Sequence, residues 1–201
     1  MRGILREHYG VDTRGIAWRT GGQRVAITLP EGFDMRPLGE ELPTALAAGR
    51  LDALIAPRPP ACYLERSAPV DRLHPDYRAE EIAWHRATGF FPIMHCLAVR
   101  RDVAERHPWL PLELFRAFAR ARAIALEELR LVNVLRVSLP WGPAAFEEQA
   151  AIMGGDPWPY GFARNRAEVA AMARFAAEDG LAPRAVEPEE LFHPSTLDAA
   201  A

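Results

Sequence analysis

The sequence predicts an α/β fold, because stretches typical of buried strands alternate with helical patterns at short spacing. Residues 51–56 and 90–99 are rich in apolar side chains, as the strands of a covered sheet are. A strand at 25–29, a helix at 38–48 and the run at 51–56 follow one another closely, which is the order of a strand–helix–strand unit. After residue 102, apolar side chains recur at three- and four-residue steps, which indicates helices.

In the first half of the chain, glycines mark the expected ends of helices. Residues 1–9 have the pattern of a helix that stops at Gly10, and the helix expected at 38–48 stops at Gly49. Residues 16–19 are short, apolar and strand-like, whereas 25–29 alternate as a half-buried strand does.

The second half predicts one more strand and then helices only. Residues 70–88 are polar and aromatic without a clear period, and 90–99 then form the predicted strand. The expected helices are listed here by range: 102–105, 112–131, 143–153 and 166–179, the last of them ended by Gly180.

Composition excludes several classes of function. The 201 residues carry a net charge of -3 with a pI near 6.1, which argues against a nucleic-acid-binding protein. All 24 basic residues are arginine, so Schiff-base chemistry on lysine is excluded. Gly21–Gly22 and Gly154–Gly155 are isolated pairs and form no phosphate-binding loop.

Cysteine usage and the N-terminal residues predict a cytoplasmic location. Cys62 and Cys96 form neither a disulfide framework nor a metal-ligand spacing. Charged side chains occupy the first eight residues where a signal peptide would be apolar, and no run approaches the roughly 18 apolar residues of a membrane span. A membrane association is therefore not expected.

His95 is the first candidate for chemistry. It lies within the apolar run 89–101, where an ionisable ring is either a hydrogen-bonded core group or part of a site. Histidine changes its charge near neutral pH, which suits proton transfer. Both interpretations stay open from the residues alone.

Several segments also carry a family resemblance. They read LDALIAPRPP (51–60), LHPDYR (73–78), GFFPIMHCLAVRR (89–101), WPYG (158–161) and ELFHPSTL (190–197). In order along nearly the whole chain, these motifs resemble the 4,5-dihydroxyphthalate decarboxylase family. The resemblance implies a two-lobed architecture similar to type II periplasmic ligand-binding proteins, with 1–90 as a segment of the second lobe. Residues 91–201 would supply the return crossing strand and the C-terminal helices of the first lobe, most of whose sheet is missing from this chain.

The resemblance implies decarboxylation of a hydroxylated aromatic dicarboxylate without a cofactor. Such a reaction needs an acid near the ring and a clamp for a second carboxylate. His95 is the predicted acid, because a crossing strand would direct it into the cleft. Arg58 is the predicted clamp, because it follows a strand-like run and ligands collect beyond the carboxyl ends of strands; a structural salt bridge is the alternative.

Other residues are weaker candidates for binding the substrate. Trp158, Tyr160 and Arg164 lie in a loop broken by proline and glycine, where an aromatic wall and a hydroxyl group would suit a flat ring. Anchoring of the loop to the core is the alternative. His74 is included because its motif matches, although relatives often carry an aromatic there. No metal is predicted, since scattered histidines match no ligand spacing.

Two alternatives to catalysis remain. One is a binding protein of the same fold that captures a small anion without converting it, and the other is an inactive fragment, since the chain starts late relative to the family pattern. The expected partner is a small aromatic carboxylate, with self-association into a homo-oligomer left open.

Overall fold

The computed structural model describes residues 1–21 and 32–200, which divide into two compact units. Unit 1 contains residues 1–80 and 175–184, and unit 2 contains 81–174 and 185–201, of which 201 lies outside the description. The α-helices are α1 (Arg2–Tyr9), α2 (Leu42–Ala47), α3 (Ala61–Leu64), α4 (Tyr77–Thr88), α5 (Arg101–Arg106), α6 (Leu110–Arg130), α7 (Gly142–Ile152) and α8 (Phe162–Glu178). Two strands, β1 (Trp18–Thr20) and β2 (Met35–Pro37), and 3-10 helices at Pro188–Leu191 and Pro194–Thr196 complete this description.

Helix α1 ends at Gly10 as predicted. Gly10 has a φ of 65°, a left-handed conformation that glycine adopts without strain, and its N–H donates to the carbonyl of Leu5. Gly3, near the start of α1, is buried against the ring of Phe175, which lies at the end of α8. A Cβ atom at position 3 would lie 2.4 Å from that ring, so this close approach requires glycine.

Charge pairing joins the same two helix ends within unit 1. Asp179 is buried, and its carboxylate receives Arg2 Nε at 2.8 Å and Arg6 Nη1 at 3.3 Å. Arg6 also pairs with Glu178. A buried carboxylate is tolerated when it is paired in this way, so α1 and the end of α8 are held by packing and charge together.

The sheet of unit 1 is small and parallel. Trp18, Arg19 and Thr20 of β1 lie opposite Met35, Arg36 and Pro37 of β2. The chain is thus mixed α/β, as predicted, but the described residues contain this two-stranded sheet and otherwise helices and loops. The predicted strand at 25–29 lies outside the described residues.

Unit 2 is built around α6, α7 and α8. Phe162, Val169 and Ala173 of α8 are buried, and the rings of Phe162 and Phe192 lie 5.0 Å apart. Helix α6 packs against α7 and against the 3-10 helix at 194–196. Within the described ranges, we find no helix that combines the length and the apolarity needed to cross a membrane.

Two predicted strands are wrong. Residues 51–56 and 91–100 adopt neither helix nor strand, and most of their side chains are exposed. An apolar run becomes a strand only when a neighbouring strand takes up its backbone hydrogen bonds. At 91 and 93 the N–H groups instead donate to a side chain of α8. The return crossing strand expected at 91–99 is therefore a loop.

Helix α4 was not predicted. The helix begins directly after Asp76. The Oδ1 of Asp76 accepts the N–H of Ala79 at 3.1 Å, as the side chain of an N-cap aspartate does. None of its side chains is buried, which explains why residues 77–88 lack the apolar period of a core-facing helix.

Candidate active site

A cavity of about 1050 Å³ lies within unit 2. Its walls are formed by the loop 91–97, by α5 and α6, by the loop 158–162 and by residues 190–194. The volume is at the upper end of the range typical of small-molecule sites. Aromatic side chains from all four of these walls line it, among them Phe91, Phe115, Phe118, Trp158, Tyr160 and Phe192, so the cavity suits a flat apolar ring.

The structure brings three of the predicted site residues to this cavity: His95, Trp158 and Tyr160. His95 is exposed on the loop 91–97 rather than buried in a strand, so the interpretation of His95 as a core histidine is wrong. The imidazole of His95 is thus open both to the cavity and to solvent.

The loop that carries His95 is fixed by Glu168 of α8. The carboxylate accepts the N–H of Phe91 at 3.3 Å through Oε2 and the N–H of Ile93 at 2.9 Å through Oε1. Burial raises the pKa of Glu168 above its ordinary value, while these two N–H groups and the nearby His85 offset the rise in part. Glu168 therefore holds the loop at Ile93, two residues before His95. Burial disfavours the charged form of this same carboxyl group.

A second anchor lies one residue further towards the N-terminus. The Nδ1–H of His85 donates to the carbonyl of Phe90 at 2.9 Å, and the N–H of Phe90 donates to Thr88 Oγ1 at 3.1 Å. Both side chains belong to the last turn of α4. The main chain entering the loop 91–97 is thus hydrogen-bonded to α4 and to α8.

The loop that carries Trp158 and Tyr160 is positioned by Arg122 of α6. Its Nε donates to the carbonyl of Trp158 at 2.6 Å, its Nη2 pairs with Asp156, and the guanidinium lies 5.3 Å from the centre of the Tyr160 ring. The Arg122 side chain is 11% exposed. A largely buried arginine that joins a carboxylate, a carbonyl and a ring fixes the loop in one arrangement.

The rings of Phe91 and Trp158, which both line the cavity, are in contact. Their centroids are 5.1 Å apart at an angle of 57°, which is within the range of favourable aromatic contacts. This contact joins the loop that carries His95 to the loop that carries Tyr160. The predicted aromatic wall therefore includes Phe91 as well as Trp158 and Tyr160.

Arg164 is placed differently from the other loop residues. Its Nη1 pairs with Asp156 Oδ2 at 2.6 Å, and it lines a smaller pocket of about 340 Å³ together with His85 and Glu168. Asp156 thus bridges Arg122 and Arg164. Because this carboxylate offsets part of its charge, Arg164 is a weaker candidate for binding substrate than the sequence suggested.

Arg58 and His74 belong to unit 1. Arg58 is exposed in the loop after 51–56, and since that run is not a strand, the reason for placing Arg58 at a strand end does not hold. The ring of His74 stacks on Tyr9 with centroids 5.1 Å apart, and the Tyr9 hydroxyl donates to Glu80 at 2.9 Å. Roles for Arg58 and His74 in binding the substrate remain predictions.

Sequence reasoning missed other polar groups of the site. Arg101, the first residue of α5, lines the cavity next to the His95 loop, and so does Cys96, which is exposed. The signal for Arg101 was its place in the motif 89–101 at a predicted helix start. Arg122 gave no signal, because an arginine on an amphipathic helix is usually on the solvent face.

No metal centre is evident in the described parts of the chain. Over residues 1–21 and 32–200, no three His, Cys, Asp or Glu side chains are grouped so that they could hold a metal ion.

Comparison with known proteins finds two similar proteins that have the same name. It is 37% identical over 211 aligned positions to a 4,5-dihydroxyphthalate decarboxylase of Comamonas testosteroni, covering 99% of this chain and 63% of that protein. It is 29% identical over 99 positions to a 4,5-dihydroxyphthalate decarboxylase of Pseudomonas putida, covering 45% of this chain and 38% of that protein. The expected resemblance to the 4,5-dihydroxyphthalate decarboxylases is confirmed. The chain spans 63% of the length of the Comamonas decarboxylase, and no protein-family model matches it.

Proposed function

We propose that this chain decarboxylates a hydroxylated aromatic dicarboxylate, similar to 4,5-dihydroxyphthalate, to a protocatechuate-type product. The observation that carries the proposal is the cavity of unit 2, which His95, Trp158 and Tyr160 line together. The similarity to the decarboxylases over 99% of the chain supports the same reaction.

The chemistry requires one proton for each turnover. A hydroxyl group para to the reacting carboxylate makes the ring carbon basic, and His95 in its imidazolium form gives its proton to that carbon. The bond between this carbon and the carboxylate then breaks, its electron pair restores the aromatic ring, and carbon dioxide leaves. His95 takes up a proton from solvent before the next turnover, which its exposed position permits.

Substrate binding is divided between apolar and charged groups. Trp158, Tyr160 and Phe91 provide faces and edges for the ring. Arg101 provides a permanent cation on the cavity wall, and its planar guanidinium suits the carboxylate that is retained. We keep Arg58 and His74 as further candidates on the ground of their family motifs.

We also propose the finer architecture implied by the family. In it the chain would follow the two-lobed pattern of type II periplasmic ligand-binding proteins, with 1–90 and 91–201 assigned to different lobes. A small aromatic carboxylate is the proposed partner, and self-association stays a prediction.

The test measures turnover and occupancy of the cavity separately. Carbon dioxide release from 4,5-dihydroxyphthalate by the purified chain is followed together with alkylation of its cysteines. Cys96 lines the cavity, whereas Cys62 is buried in unit 1 and serves as an internal reference.

We expect carbon dioxide release, and we expect the substrate to slow alkylation of Cys96 without changing that of Cys62. Protection of Cys96 without release of carbon dioxide would replace the proposal by the binding-protein alternative. A folded chain that shows neither effect would contradict both the decarboxylase proposal and the binding-protein alternative. The inactive fragment would then be the remaining interpretation.

A further inference from the structure

The cavity contains a second imidazole, His193, which the proposed reaction leaves without a role. His193 lies on the wall formed by residues 190–194 and is half-buried. The other titratable or charged side chains that line the cavity are His95, Cys96, Arg101, Glu105, Tyr160 and Glu190. His193 and His95 are therefore the histidines that a ligand in this cavity would meet.

The hydrogen bonds of His193 fix its ring. Nδ1 accepts the N–H of Ser195 at 3.3 Å and lies 2.8 Å from Ser195 Oγ. The carbonyl of His193 accepts the N–H of Thr196 at 2.9 Å and the hydroxyl of Thr196 at 2.8 Å. Side chain and main chain are thus both held by the short 3-10 helix that follows, Pro194–Thr196.

These contacts also select the tautomer. A ring nitrogen that accepts a backbone N–H carries no proton of its own, so in the neutral ring the proton lies on Nε2. In that tautomer the Ser195 hydroxyl, whose Oγ lies 2.8 Å from Nδ1, is the donor of their contact as well. With Nδ1 occupied by Ser195, the remaining polar atom of His193 is a hydrogen-bond donor and cannot serve as a base.

We propose that His193 binds a carboxylate oxygen of the aromatic ligand through its Nε2–H. This inference rests on the proposed function for the class of ligand, but it concerns binding and does not require turnover. A donor of this kind is strengthened by an anionic acceptor, and a phenol hydroxyl would gain less from it. The two histidines would then have distinct tasks, since His95 exchanges a proton and His193 orients an anion.

A single N–H donor suits a carboxylate that has to leave. A carboxylate that must leave as carbon dioxide loses its charge in the reaction, so a strong ion pair in the bound state would raise the barrier. A single imidazole N–H orients the group through one hydrogen bond, which stabilises the ground state less than the bidentate fork of an arginine does.

The test compares ligands that differ in the group recognised. Phthalate carries two carboxylates and no hydroxyl group, whereas catechol carries two hydroxyl groups and no carboxylate. Binding of each is measured by calorimetry and by protection of Cys96 from alkylation, with wild-type chain and variants that are shown to be folded by circular dichroism.

We expect His193→Leu to weaken phthalate binding about ten- to a hundredfold and to leave catechol binding within about twofold. His193→Gln, whose amide N–H lies close to the position of Nε2–H, should recover most of the phthalate affinity. Ser195→Ala should cause a smaller loss, because Nδ1 then keeps only the backbone contact. His107→Leu is the control, since His107 is exposed at the end of α5 and does not line the cavity.

Three results would overturn the inference: unchanged phthalate binding by His193→Leu, an equal loss for phthalate and catechol, or a ring protonated on Nδ1 in the nitrogen-15 spectrum of the wild-type chain. The spectrum reads the tautomer without any variant, so a misfolded His193→Leu would not remove the test. If the wild-type chain releases no carbon dioxide but His193→Leu still loses phthalate, the proposed function fails and this inference stands.

Discussion

Glu168 Oε1 accepts the main-chain N–H of Ile93 at 2.9 Å, and this bond connects α8 to the loop that presents His95. The loop has no strand partner among the described residues, so side chains replace the backbone ladder that would otherwise hold it. The position of the proposed acid therefore depends on a carboxyl group that does not itself line the cavity.

Replacing Glu168 should change how stability depends on pH. Burial raises the pKa of Glu168 above its ordinary value near 4.5. At pH values between the ordinary pKa and the raised pKa, the folded chain keeps a proton that the unfolded chain has released. This contribution to stability is fully present below the ordinary value and is lost as the pH rises through the raised pKa. We expect the free energy of unfolding of wild type minus that of Glu168→Gln to decrease across this window.

Chemical denaturation from pH 4 to 8 measures that difference. Carboxyl groups with a lowered pKa, such as Asp102 beside Arg100, make the chain more stable as the pH rises. Because these groups are present in both proteins, their contributions cancel in the difference. Glu147→Gln, at an exposed position on α7, is the control for the same substitution elsewhere on the chain. A flat difference for Glu168→Gln would contradict the raised pKa.

His95→Gln should abolish carbon dioxide release and leave binding of the aromatic acid nearly unchanged. The imidazole supplies the proton, and a positioned acid typically accounts for 10²- to 10⁴-fold in rate. Single-turnover release and calorimetric binding separate the two effects. Wild-type turnover by this variant would remove His95 from the mechanism, and His107→Gln should retain full activity.

Arg122→Lys should destabilise unit 2 by about 1–3 kcal/mol, because lysine cannot bind Asp156 and the Trp158 carbonyl together. Arg120→Lys, two residues away and exposed on α6, changes the same group without these partners and should be neutral. Urea denaturation of both variants provides the comparison, and equal effects would show that the loop does not depend on Arg122.

Arg101→Gln and Arg58→Gln distinguish the cation that lines the cavity from the one predicted from the sequence. We expect Arg101→Gln to weaken binding of phthalate about tenfold or more, because a charge-assisted pair is lost. Arg58→Gln with the same measurement tests the sequence prediction directly. Wild-type affinity in Arg101→Gln would exclude it as the clamp.

Helices could be predicted from this sequence more reliably than strands. Gly10, Gly49 and Gly180 correctly marked helix ends, because glycine readily adopts the left-handed conformation in which many helices end, and the apolar period correctly indicated α6 and α8. The strands at 51–56 and 90–99 failed because an apolar run does not reveal whether a partner strand exists.

Within the site, the motif residues His95, Trp158 and Tyr160 were found, whereas the residues that position them were not. Glu168 and Arg122 act through contacts with main-chain groups far along the sequence, at separations of 75 and 36 residues. Spacing along one helix contains no information about such contacts. Arg164 was overestimated for the same reason, since its pairing with Asp156 is visible only in three dimensions.

The contact of Gly3 with Phe175 also has a consequence for biosynthesis. During translation α1 emerges from the ribosome long before Phe175 and Asp179, which cover Gly3 and pair with Arg2 and Arg6. All of 81–174 leaves the exit tunnel in between. In the nascent chain, the face of α1 that contains Gly3 therefore stays uncovered, and Arg2 and Arg6 stay without these partners, until the last part of α8 has been synthesised. Unit 1 is therefore completed after most of unit 2, and a ribosome stalled before residue 175 would display it unfinished.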